Sequence, residues 1–126
     1  MSLEDATTAE LERVARLVAE ALERAGIPWS PTEQPLDHDV AQVIVDDSDD
    51  DDRGVFVSWT LSVQENSAMH ALVVEGDHAN PAILQAGRRF EEALDRIQRV
   101  LRGAGIASVN PEDDFDPYML KIVSAP

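Results

Sequence analysis

The chain has no cysteine among its 126 residues, which excludes disulfides, thiolate metal sites and a cysteine nucleophile and suits a reducing compartment. Aromatic residues make up only 5% of the chain, so each of the two tryptophans carries a large share of the area available for packing. No apolar run approaches the ~18 residues that a membrane span needs, and no basic segment precedes an apolar stretch near the start. The expectation is a cytoplasmic protein with no membrane association. Positive charge is also scarce. Lys121 is the single lysine, and ten basic residues face 25 acidic ones, for a net charge of -15. A surface this acidic repels phosphate backbones, which disfavours direct nucleic-acid binding and favours a basic protein partner.

The charge is unevenly spread. Residues 1–80 carry 18 acids against four arginines, net -14; residues 81–105 carry three against five arginines, net +2; residues 106–126 carry four against Lys121, net -3. The cations therefore gather in one stretch, which is also the best-written helix in the chain. Asn80 suits an N-cap, Pro81 suits the first helical position, and Gly103 permits a left-handed stop. Between them Ile83, Gly87, Phe90, Leu94, Ile97 and Leu101 recur at steps of four and three, widened by Ala86, Ala93 and Val100, so one broad face is core. The other face holds Arg88, Arg89, Arg96, Arg99 and Arg102 among acids, with Arg88/Glu92, Glu92/Arg96 and Asp95/Arg99 spaced to pair. The strict spacing is also compatible with a helix-pairing seam, which leaves monomer and homodimer both open.

With 44% apolar content, residues 1–126 read as a single domain able to bury one core. Thr7 and Glu10 form a capping box ahead of a first amphipathic helix, about residues 8–25, closed by Gly26 and Pro28. Ile27 to Asp39, with Pro28, Pro31 and Pro35, reads as an irregular crossing loop whose Trp29 plugs the core edge or anchors a partner. Val40–Val45 and Val55–Leu61 read as strands, the second with Val55, Val57, Trp59 and Leu61 on one face and Phe56, Ser58 and Thr60 on the other. Ser62 to Gly76 reads as a helix started by a Ser62/Glu65 capping box, the competing reading being a third strand from Met69 to Glu75. Ala107–Asn110 and Tyr118–Val123 are further strand candidates. The expected fold is α+β, a small antiparallel sheet of three or four strands with two or three helices packed on one face.

The candidate chemistry is thin. Asp46–Asp52 places six aspartates in seven positions and offers hard-cation ligands, with Asp47, Asp49 and Asp51 the metal candidates. The spacing is not that of an EF-hand: counted from Asp47 the sixth position is Asp52, and counted from Asp49 the fifth is Arg53 and the twelfth Thr60. A mobile, solvated acidic loop is the simpler reading. Glu112, Asp113, Asp114 and Asp116 read the same way. Asp37, His38 and Asp39 place an imidazole between carboxylates, whereas His70 and His78 lack the spacing of a zinc helix. Ser58 sits in a strand without a nucleophile elbow, and Gly103 and Gly105 follow a helix instead of opening one. No cofactor is expected.

In composition the chain resembles the uncharacterised small acidic proteins of high-GC bacteria, a resemblance that implies no activity. In size, charge and element order it is loosely similar to small acidic secretion chaperones, which implies dimers that wrap an unfolded client segment. The sequence thus points to a non-enzymatic protein-interaction, adaptor or chaperone-like domain, with Trp29, Arg88, Arg89, Arg96 and Arg99 as interaction candidates. The alternatives are a divalent-metal-dependent binder or enzyme using Asp46–Asp52, and a nucleic-acid mimic in which aspartates stand in for phosphates.

Overall fold

The computed structural model describes residues 3, 5–32, 34, 36–49, 53–110 and 119–126. In chain order these form α1 (Thr8–Arg24), β1 (Trp29–Ser30), β2 (Val40–Asp46), β3 (Gly54–Thr60), α2 (Val63–Val74), α3 (Pro81–Gly103), β4 (Ala107–Val109) and β5 (Met119–Ser124). The strands make one sheet in the order β1-β2-β3-β5-β4. The α+β class is as expected, but the sheet has five strands and is mixed instead of antiparallel throughout.

The extra strand lies inside the proline-rich crossing. β1 runs parallel to β2, with Trp29 opposite Ala41 and Ser30 opposite Gln42. Proline lacks a donor but keeps its carbonyl, and the Ala41 N–H donates to Pro28 O at 2.9 Å. Prolines on both sides of a two-residue edge strand therefore permit it while keeping it short.

β2 and β3 form the central hairpin, pairing from Val40 with Thr60 to Asp46 with Gly54. β5 joins β3 with Val57 opposite Leu120, and β4 closes the sheet against β5. Because side chains alternate, Ala41, Val43, Val55, Val57, Leu120 and Ile122 fall on one face and enter the core with Leu11, Val14, Val18 and Leu22 of α1 and Leu94, Ile97 and Leu101 of α3. The opposite face is mixed, with Phe56, Ser58 and Lys121 half-buried, and Lys121 lies 5.9 Å from the Phe56 ring centre. On that face Ser58 donates to Gln42 Oε1 at 3.3 Å, while the buried Gln42 Nε2 has no partner among the described residues.

The helices start as their sequences dictate. Thr7 Oγ1 accepts from the Glu10 N–H and Glu10 Oε1 accepts from the Thr7 N–H, both at 3.2 Å, completing the capping box of α1. α2 replaces the competing strand reading, and its box is only half formed: Ser62 Oγ accepts from the Glu65 N–H at 3.3 Å, but the Glu65 carboxylate pairs with Arg89 instead of reaching back. α3 begins at Asn80, whose Oδ1 accepts from the Ala82 N–H at 2.9 Å. Its left-handed stop belongs to Gly105, with φ 79°, and Gly103 is the last helical residue.

Of the described helices, only α1 and α3 cover the sheet. Within the described residues α2 packs on α3 and touches no strand. Of the α3 stripe, Leu94, Ile97 and Leu101 are buried in the core, whereas Ile83, Gly87 and Phe90 nearer its start are half-buried. The second half of the proposed pairing seam is thus occupied within the chain itself. α2 and the first half of α3, in which Ala86 alone is buried, form an arm outside the main core cluster.

Candidate interaction surfaces

One groove lies between α1 and the edge of β2. α1 presents Ala15 and Ala19 toward the sheet, and residues this small leave space that longer side chains would fill. Trp29 and Pro31 close one end and Val43, Ile44 and Val45 form the sheet side, giving a groove of about 440 Å³ with Arg16, Glu20 and Glu23 on its helical rim. Trp29 is half-buried, packed on the core edge, and its Nε1 donates to Glu23 Oε1 at 2.8 Å. It therefore plugs the core edge, as one of the two sequence readings had it, and its exposed part lines the groove.

This groove runs along an incomplete strand edge. β1 ends at Ser30, and the Thr32 N–H turns back to Ser30 Oγ at 3.3 Å instead of continuing the ladder. Among the described residues nothing pairs with the outer side of β2 beyond Gln42. Since Ala41 directs its N–H to Pro28, alternation along the strand points the main-chain N–H and C=O of Val45 outward as well.

The second surface is the arm. α2 carries apolar residues on all sides, yet none of its residues is buried. Val74 is 71% exposed and Leu84, in the first turns of α3, 55% exposed, with Val63 and Val73 also outward. Gln64, Glu65, Asn66, Ser67 and His70 stand among the apolar residues of α2, so the helix is apolar mainly in its last turns.

The arginines do not form one patch. Arg89 ties the arm to the sheet, pairing with Asp39, just before β2, and Glu65 of α2. Asp39 Oδ1 also accepts the Ser62 N–H at 3.0 Å, so this carboxylate holds both the start of α2 and the α3 arginine. The hydrogen bond to Glu65 is the largest influence raising the Arg89 pKa further above its already high ordinary value. Arg96 donates to Ala25 O at 3.0 Å, locking α3 to the end of α1, and Arg99 pairs with Asp95 at 3.0 Å. Arg88 is exposed. Of the five interaction candidates, Trp29 alone lines the groove, and the four arginines lie along α3.

The acidic loop is partly outside the described residues, which exclude positions 50–52 and with them Asp51. Its described base is organised by Arg53, a residue sequence reasoning passed over. Arg53 donates to Asp47 O at 2.6 Å, Ser48 O at 3.3 Å and, through Nε and Nη2, Ala6 O at 3.3 and 3.1 Å. Asp46 Oδ1 accepts from Ser48 Oγ at 2.6 Å and from its N–H at 3.0 Å, and these bonds hold the carboxyl below its usual range. The loop base thus points several of its oxygens at its own donors. No group of three or more His, Asp or Glu side chains among the described residues could hold a metal ion. His38 Nδ1 lies 2.8 Å from Asp37 Oδ1, and Asp39 turns away to Ser62 and Arg89, so these neighbours do not share one site. The second acidic cluster, residues 112–116, lies outside the described residues. No helix of the described residues is long and apolar enough to cross a membrane.

No family model matches the chain, and no curated protein and no solved structure matches it.

Proposed function

We propose that this chain is a non-enzymatic protein-interaction domain of the adaptor or chaperone kind, and that its principal binding surface is the groove between α1 and β2. The observation that carries this reading is the coincidence of an apolar groove with a strand edge to which no described strand pairs past Gln42. Apolar side chains without hydrogen-bonding main chain, or the reverse, would be ordinary surface. Together they meet both requirements of a bound polypeptide: area to bury and donors and acceptors to satisfy its backbone. The net charge of -15 supports a basic partner by steering it toward the surface.

The test is affinity capture from host lysate with the wild-type chain and with Glu20→Lys, a change on the exposed rim. A stoichiometric partner retained by the wild type and depleted with the variant supports the reading. Equal capture by both removes the groove from it, and no partner at either low or moderate salt removes the interaction reading itself.

A second reading, self-association through the arm, is favoured by the exposure of Val73, Val74 and Leu84. Sedimentation over a concentration series checks it: a dimer that dissociates in Val74→Asp supports the arm, and a monomer throughout removes it. The metal-dependent alternative predicts a higher melting temperature in millimolar calcium, magnesium or manganese, and an unchanged melt removes it.

A further inference from the structure

We infer that the groove takes an extended, basic peptide segment as an added strand on β2, in line with β1 and beyond its end. The inference rests on the interaction reading above and adds the mode of binding and the chemistry of the partner. Three features fix it. The main chain of Val45 is turned outward with nothing paired to it among the described residues, so the complementary group is a backbone in extended form. Ser30 and Pro31 stop β1 after two residues while β2 continues to Asp46, which leaves room for about four residues at the same strand spacing. Finally, Ala15 and Ala19 are small where the added strand would pass beneath α1, so its helix-side residues would rest on them and on Val45 and Trp29.

The charge around the groove selects the partner. Glu20 and Glu23 line its helical rim beside Arg16, Glu20 also pairing with Arg24 at 3.6 Å, and Asp46, Asp47 and Asp49 lie where β2 ends, beside Arg53. Asp46 is held in its charged form by the Ser48 donors described above. A segment alternating apolar with lysine or arginine side chains satisfies this arrangement: one face packs under α1, and the cations of the other lie at the solvent edge within reach of the acids. Five acids against Arg16, Arg24 and Arg53 leave the surroundings net negative, so an acidic segment of the same shape meets net repulsion.

The strand mode has a signature that charge attraction alone lacks. In a paired strand alternate N–H groups point toward the neighbour and the intervening ones point away. The probe is a synthetic peptide of about nine residues alternating valine with lysine or arginine, long enough to cover the free edge. It is prepared unmodified, N-methylated at the valines, and N-methylated at the basic residues. Binding is followed by fluorescence anisotropy at about 0.15 M salt, where exposed charges are screened beyond roughly 8 Å. Amide chemical shifts locate the bound peptide.

One methylated series is expected to weaken binding about tenfold or more, the equivalent of losing its backbone bonds, and the other to bind nearly as the parent does. Which series fails also reports whether the strand adds parallel or antiparallel. Shifts are expected at Val43–Asp47 and along the groove side of α1. Equal affinity of both methylated series overturns the strand mode, because the peptide is then held by its charges. Shifts confined to the arm, or no binding of the parent peptide, also overturn it. Because the modification is on the peptide, none of these binding outcomes depends on a variant that fails to fold. If the peptide fails while Glu20→Lys still loses a captured partner, strand addition falls and the interaction reading stands. If capture fails as well, both fall.

Discussion

The two ends of α3 belong to different environments although they share one helix. Toward its C-terminus, Leu94, Ile97 and Leu101 are sealed between α1 and the sheet. Toward its N-terminus, where α3 meets α2, a helix with no buried residue, Ala86 alone is buried, Ile83 and Phe90 are half-buried and Leu84 faces solvent. The comparison teaches that amphipathic spacing specifies which face of a helix is apolar, not what will cover it. In the body the cover is the sheet; in the arm it is a second helix too small to complete the task, fastened through Arg89.

The largest expected effect separates these halves directly. Leu101→Ala empties a fully buried position and is expected to cost about 2–5 kcal/mol, read as a lower denaturation midpoint at unchanged slope. Leu84→Ala, the same chemistry in the arm, is expected to stay within about 0.5 kcal/mol. Comparable losses at the two sites would mean that the arm is buried in solution, as self-association would make it.

A smaller contrast comes from the helix starts. Thr7→Ala removes the cap of α1, which packs on the core, and is expected to cost about 1 kcal/mol of global stability. Ser62→Ala removes the cap of α2 and is expected to register as faster hydrogen exchange of the α2 amides, with the global midpoint little changed. A global loss at Ser62 equal to that at Thr7 would join arm and body into one cooperative unit.

Arg89→Ala is expected to act in the same local way. Its side chain is 44% exposed, so solvent screening limits the two ion pairs together to about 1 kcal/mol or less, decreasing with salt. Exchange in α2 should rise while amides of β2 and β3 keep their protection. Unchanged exchange in α2 would show that the α2–α3 contact alone positions the arm.

Much of the body was legible because its signals are local. The Thr7–Glu10 box, the period of α1, the alternation of β3 and the Asn80–Pro81 start each sit within a few residues, and each appears where its chemistry predicts. What escaped depended on partners distant in sequence. β1 is two residues between prolines and exists only because Ala41 lies beside it. The groove needs that strand to end before β2 does, and no periodicity in either segment carries such a difference in length. Pro31 directly after Trp29 and Ser30 was the available sign. Arg89 read as one of several surface cations because its partners, Asp39 and Glu65, lie 50 and 24 residues away. Glu65 read as a capping residue for the same reason: the local role was written in the sequence, and the tertiary partner that displaced it was not.

The smallest effect concerns pH and the start of α1. Hydrogen bonds from Thr7, its backbone N–H first, hold the Glu10 carboxyl below its ordinary value in the folded chain. A depressed carboxyl binds its proton more weakly when folded than when unfolded. Its stabilising contribution is therefore complete above the ordinary carboxyl range and lost as pH falls through the lower folded value. In Glu10→Gln that dependence disappears. The measured quantity is the difference in stability between wild type and variant, because in each alone protonation also relieves the repulsion of a chain with net charge -15. The difference is expected to shrink as pH drops from about 5 to 3 and to be flat above that window. Glu10 is exposed, so the change should be slight. A difference that grows on acidification would mean that Glu10 is held in its protonated form, and that the cap of α1 rests on Thr7 alone.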